Sequence, residues 1–84
     1  MKVRLHKHAA ERLSERGATR VEAMETVRRG RRSRAKFGRF AFVLNFPFDR
    51  LWLGKRYATK QIKAIAVRES DDQWLIVTVI VKYF

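Results

Sequence analysis

The chain has no cysteine, one proline, four glycines and few acids: 8 Asp+Glu stand against 20 Lys+Arg in 84 residues. Without cysteine there can be no disulfide scaffold, no Cys-based zinc module and no thiol catalysis. No apolar run approaches the ~18–20 residues of a membrane-spanning helix. The longest, Trp74 to Val81, has the length of a strand and is interrupted by Thr78. The N-terminal residues are charged and lack an apolar stretch, so no signal peptide is expected. Repeats, linkers and low-complexity segments are missing apart from one basic stretch. At 46% hydrophobic and 12% aromatic residues the chain is too apolar for a disordered basic tail. The length bounds one domain, residues 1–84, burying ~60–65% of its unfolded surface. The expectation is a compact, soluble, cytoplasmic domain with no membrane association.

What is abundant is positive charge. The net charge is +12, and arginine outnumbers lysine 13 to 7. Self-repulsion at this density disfavours the compact state unless a polyanion relieves it, and arginine suits bidentate phosphate contact and base stacking. The densest run is Arg28-Arg29-Gly30-Arg31-Arg32-Ser33-Arg34-Ala35-Lys36. Its cations, Arg28, Arg29, Arg31, Arg32, Arg34 and Lys36, are the candidate nucleic-acid-binding residues.

Hydrophobic periodicity divides the chain. Lys2 to His6 alternates as a short strand. Lys7 to Arg16 is helical, with Ala9 and Leu13 facing the core and Gly17 stopping the helix in a left-handed conformation. Thr19 and Glu22 form a capping box that opens a second helix through Arg29, with Val21, Met24 and Val27 as its apolar stripe. From Phe37 the period becomes two. Strands are expected at Phe37–Phe46, Leu51–Tyr57, Gln61–Glu69 and Gln73–Tyr83, with turns at Pro47–Arg50 and Glu69–Asp72. On the last strand Leu75, Val77, Val79, Val81 and Tyr83 are expected to face the core. The predicted fold is α+β: a short strand, then two N-terminal helices on one face of a four-stranded antiparallel twisted sheet. Phe40, Phe42, Leu44, Phe46, Trp52 and Trp74 exceed what one small core holds. They either fill both sides of the sheet or line a cleft, stack on bases or form a dimer interface.

Three side chains in the first helix form a pattern. His8, Arg12 and Arg16 recur every four residues, so they share a face, and an imidazole with two guanidinium groups in line makes an anion site. This His-x3-Arg-x3-Arg-Gly pattern precedes a second helix, Gly38-Arg39 opening a run of strands, and Val77-Thr78-Val79 in the last. Over nearly the whole chain it resembles domain-of-unknown-function family 4258. That family is similar to the metal-independent ribonuclease fold of barnase, RelE-like toxins and colicin-type nucleases. The resemblance implies a small toxin-like ribonuclease of a toxin–antitoxin pair, acting on RNA without a cofactor and partnered by an acidic antitoxin protein. At matching positions it implies that His8, Arg12, Arg16, Arg39 and Thr78 belong to the site.

Metal-independent RNA cleavage requires a base for the 2′-hydroxyl, an acid for the leaving oxygen and cations for the developing phosphorane charge. His8 is the proton carrier suited to neutral pH. Arg12 and Arg16 would hold the phosphate. Arg39, or Lys82 on the same strand face as Thr78, would complete the clamp. His6 and His8 also form a His-x-His pair, but no cysteine or convergent carboxylate joins them, so no metal site is expected. The alternative is a non-catalytic nucleic-acid-binding module in which His8 caps or packs the helix.

Overall fold

The computed structural model describes residues 1–84. In chain order these form β1 (Lys2–Leu5), α1 (Lys7–Arg12), a 3-10 turn (Ser14–Arg16), α2 (Arg20–Arg29), β2 (Arg31–Arg34), a second 3-10 turn (Lys36–Gly38), β3 (Phe40–Trp52), β4 (Lys55–Ser70) and β5 (Gln73–Tyr83).

Local sequence signals set the helices. His6 is the N-cap of α1, its Nδ1 accepting the His8 backbone N–H at 3.2 Å. The expected helix of Lys7–Arg16 is α-helical only to Arg12 and then tightens into the 3-10 turn. It closes as a Schellman motif: Ala18 N–H donates to Leu13 O, Gly17 N–H donates to Ser14 O, and Gly17 takes φ 76°. The capping box of α2 forms as expected, Glu22 N–H donating to Thr19 Oγ1 while Thr19 N–H donates to the Glu22 carboxylate. Its buried face is Ala23, Thr26 and Val27, whereas Val21 is 71% exposed. The Thr26 hydroxyl donates to Glu22 O, which lets a polar side chain occupy the core-facing stripe.

The sheet differs from the expectation. It has five strands and mixed direction, in the order β1-β5-β4-β3-β2, with β1 parallel to β5 and every other pair antiparallel. Three physical reasons account for the correction. First, β1 belongs to the sheet: it adds to its β5 edge, and because its chain direction matches that of β5 it adds in parallel. Second, Arg31–Arg34 is an edge strand rather than a loop. Its backbone pairs with Phe40–Val43 while the cations stay in solvent, and charge on an edge also blocks unwanted strand addition. Third, Pro47–Arg50 is not a turn. The ladder slips between Pro47 and Arg50, so proline's missing N–H falls where pairing is already interrupted. The chain reverses instead at Leu53-Gly54, both with positive φ; the strand expected at Leu51–Tyr57 is split there, Leu51 and Trp52 ending β3, while Lys55–Tyr57 and Gln61–Glu69 join in one long β4.

The core lies between the helices and one face of the sheet. Ala9, Leu13, Ala23 and Val27 from the helices meet Val3, Phe42, Ile62, Ala64, Ala66, Trp74, Ile76 and Val79. Burying a side chain such as Ile62 or Ile76, both fully inaccessible, contributes about 1.5–3 kcal/mol. Phe40 and Phe42 meet the Trp74 ring edge-on at 5.4 and 5.2 Å between centroids. On β5 the expected core face applies only to the second half. Ile65 pairs with Thr78 but Ala66 pairs with Ile76, leaving Val77 as a bulge. One extra residue reverses the alternation, so Trp74 and Ile76 are buried before the bulge and Val79 after it. No helix covers the opposite face of the sheet.

Candidate functional site

Strand β1 pairs with β5 only as far as Ile76. There the chain leaves the sheet, His6 N–H donating to Ile76 O at 2.8 Å, and α1 lies along the remaining edge of β5. Helix and strand enclose a shallow pocket of about 100 Å³ lined by His8, Ala9, Arg12, Arg16, Val77, Thr78 and Val79. The fold therefore brings together His8, Arg12 and Arg16, which the four-residue spacing placed on one face, and Thr78, which only the resemblance had implied. The bulge at Val77 lets consecutive residues of β5 line this pocket.

The four side chains are not equivalent. His8 is exposed over 77% of its side chain; its ring stacks on His6 at 5.2 Å and 21°, and its Nδ1 is 3.9 Å from a Glu11 carboxylate oxygen. With its Nδ1 accepting the His8 N–H, His6 acts as a cap, a role its spacing alone does not reveal. Arg12, the last residue of α1, is exposed and forms no ion pair. Arg16 is half-buried and donates from its guanidinium to the Val79 carbonyl, 63 positions away. This satisfies an edge carbonyl that has no strand partner, so part of Arg16 is structural. Thr78 is half-buried on β5.

Arg39 and Lys82 lie elsewhere. Arg39 precedes β3, two strands from β5, with its guanidinium 5.9 Å from the Phe37 ring centre, in a separate groove with Arg34, Ala35, Gly38 and Phe40. Lys82 is exposed on the uncovered sheet face, opposite Gln61 and about 13 Å along β5 from Thr78.

The dense cationic run is spread around one edge. Arg28 and Arg29 end α2, Arg29 pairing with Glu25 at 3.3 Å. Arg31 and Ser33 project to the uncovered face; Arg32 and Arg34 project to the other, where Arg32 sits 5.5 Å from the Phe40 ring centre. Lys36 follows in the 3-10 turn, exposed.

Two further features emerge only with the strand register. On the uncovered face, Arg31, Val43, Leu44, Asn45 and Gln61 line an open groove of about 390 Å³, in which Gln61 Nε2 donates to Asn45 Oδ1 at 2.9 Å. Beyond the main sheet, the β3–β4 arm carries Phe48, Trp52 and Tyr57 around Tyr83. The Tyr83 hydroxyl donates to Arg16 O at 2.8 Å. Burial is the main cause that raises the Tyr83 pKa above the usual tyrosine value; the Glu22 charge adds to it and Arg50 opposes it. The sequence signal for the Asn45–Gln61 pair is weak: two amides on alternating strands, matched only once the hairpin turn is placed at Leu53-Gly54.

No family model, curated protein or solved structure matches the chain. No helix is long and apolar enough to cross a membrane.

Proposed function

We propose that this protein is a small basic RNA-binding domain, a toxin–antitoxin type endoribonuclease that cleaves RNA without a metal in the pocket between α1 and β5. The observation that carries the reading is the convergence on one pocket of His8, Arg12 and Arg16 from the first helical segment with Thr78 from β5. The His8 imidazole takes the proton of a 2′-hydroxyl. The 2′-oxygen attacks the adjacent phosphorus, the bond from phosphorus to the 5′-oxygen breaks, and water protonates the leaving oxygen. The products are a 2′,3′-cyclic phosphate and a 5′-hydroxyl, and His8 returns its proton to solvent. Arg12, the remaining donors of Arg16 and the Thr78 hydroxyl stabilise the phosphorane charge. The cationic run from Arg28 to Lys36 holds the rest of the strand through phosphate contacts. An acidic antitoxin, covering this charge with carboxylates, is the protein partner this reading expects.

A specific observation favours a second reading, a non-catalytic nucleic-acid-binding module. Arg16 is bound to Val79 O, and Arg39 and Lys82 stand outside the pocket, which leaves Arg12 as the one unengaged cation beside an exposed His8. The test is incubation of the pure protein with mixed RNA in EDTA, wild type beside His8→Ala and Arg12→Ala. The catalytic reading expects cleavage that falls at least ~100-fold in His8→Ala, the lower range for a lost general base. Salt-sensitive RNA binding with no cleavage by wild type would replace it with the second reading.

A further inference from the structure

The groove on the uncovered face of the sheet lies outside the pocket just described. Its lining joins a cation, Arg31, an aliphatic side chain, Val43, and the amide pair Asn45–Gln61. All four project to the same side, because Arg31 pairs with Val43 and Asn45 with Gln61 in register. Lys63, opposite Val43, is exposed on the same face. Neither Arg31 nor Lys63 has an acidic partner, and no carboxylate lines the groove.

We infer that this groove is a nucleobase subsite for single-stranded RNA, in which Asn45 and Gln61 read the base edge while Arg31 holds the neighbouring phosphate. The inference deepens the RNA-binding reading and rests on it. Each side-chain amide carries two N–H donors and one carbonyl acceptor. The Gln61-to-Asn45 bond uses one donor and one acceptor. It fixes the two amides against each other and leaves further N–H donors and the Gln61 carbonyl for a ligand. Donor and acceptor side by side match the hydrogen-bonding edge of an unpaired base, the part of single-stranded RNA that proteins read. Val43 supplies an apolar surface for the base plane. Arg31 contributes a planar guanidinium suited to a phosphate. The groove spans β4, β3 and β2, so its centre on β3 is two strand spacings, about 10 Å, across the sheet from β5, the strand of Thr78. A short oligonucleotide lying across the open face can therefore engage groove and pocket together. A second copy of this chain is a poor occupant, because each copy carries a charge of +12.

The test measures fluorescence anisotropy of labelled hexanucleotides U6, C6 and A6 at fixed moderate salt, with poly-L-glutamate as a separate polyanion. Wild type is expected to prefer one base over the others by at least ~5-fold, the lower end of what one well-placed base contact gives. Asn45→Ala and Gln61→Ala, each confirmed folded by circular dichroism, are expected to reduce that preference to within ~2-fold while still binding all three oligomers. Arg31→Ala is expected to weaken all three alike, since a phosphate contact is indifferent to sequence. Equal binding of the three oligomers by wild type, or an unchanged preference in both amide variants, would overturn the subsite and leave RNA binding standing. Binding of poly-L-glutamate with no binding of any oligomer would overturn both and assign the face to an acidic protein.

Discussion

The Lys60 ammonium lies 2.8 Å from a Glu22 carboxylate oxygen, and the lysine side chain is only 4% exposed. It also donates to Gly17 O at 2.9 Å, and Glu22 in turn accepts from the Thr19 backbone N–H. One buried ion pair thus ties the middle strand of the sheet to the start of α2 and to the glycine that ends the α1 segment. Charges this sheltered tolerate joint replacement better than loss of one partner. Glu22→Ala, which leaves the lysine buried without its carboxylate and removes half the capping box, is expected to cost about 3–5 kcal/mol. Lys60→Met leaves the less sheltered partner, Glu22, 22% exposed and still accepting from the Thr19 N–H, and is expected to cost less, about 2 kcal/mol. Urea unfolding midpoints at unchanged slope measure both.

Gly17 and Gly54 separate two reasons for requiring glycine. Both have positive φ, 76° and 85°. A Cβ at Gly17 would meet the Tyr83 hydroxyl and come within 2.8 Å of the Trp52 ring, whereas a Cβ at Gly54 meets open space. Gly54→Ala is expected to cost about 1–2 kcal/mol, the left-handed backbone strain alone. Gly17→Ala is expected to cost at least about 2 kcal/mol more, because the aromatic cluster must also move. Thermal or urea denaturation of the two variants in parallel gives the difference.

Tyr83 links the aromatic arm to the α1 segment through its bond to Arg16 O. Its pKa is raised, so the folded state favours the neutral phenol. The sign follows from linkage: the contribution to stability is complete below the unfolded tyrosine value of about 10 and is lost as pH rises through the higher folded value. Ultraviolet titration of the tyrosinate band is expected to show a component above the usual tyrosine range. That component should be absent in Tyr83→Phe.

The cationic run makes a graded prediction. Removing a cation that contacts phosphate lowers the slope of log affinity against log salt by about 0.7 for single-stranded nucleic acid. Arg31→Ala and Arg34→Ala, neither engaged by a carboxylate, are expected to show that change. Arg29→Ala, whose guanidinium is held by Glu25, is expected to show less. Titrations of a fluorescent oligonucleotide over a salt series measure the slopes.

Much of the helical half was legible in the sequence, because its signals are local. Gly17 after a helical run, Thr19 with Glu22, and the four-residue spacing of His8, Arg12 and Arg16 each act within a turn or two. The sheet was less legible because strand pairing is not local. Arg31 to Arg34 has no apolar alternation, and only pairing with Phe40–Val43 makes it a strand. Pro47 resembles a turn residue, yet it sits at a slip in the ladder whose position depends on β4. The bulge at Val77 has no composition of its own, and it inverted the expected face for the first half of β5. The same limit applied to the site. The α1 stripe was readable as a stripe, but the Arg16 bond to Val79 O and the separation of Arg39 and Lys82 from the pocket depend on which edge of β5 α1 covers. His6, read as one half of a His-x-His pair, is a helix cap because the chain leaves β1 at that residue.

The most direct test of the account is the chemistry of the RNA ends left after incubation with wild-type protein in EDTA, identified by mass spectrometry, with His8→Ala in parallel. The account predicts 2′,3′-cyclic phosphate and 5′-hydroxyl ends from wild type, with their yield collapsing in the variant. RNA left intact by wild type, or the same ends formed equally well by His8→Ala, would contradict it.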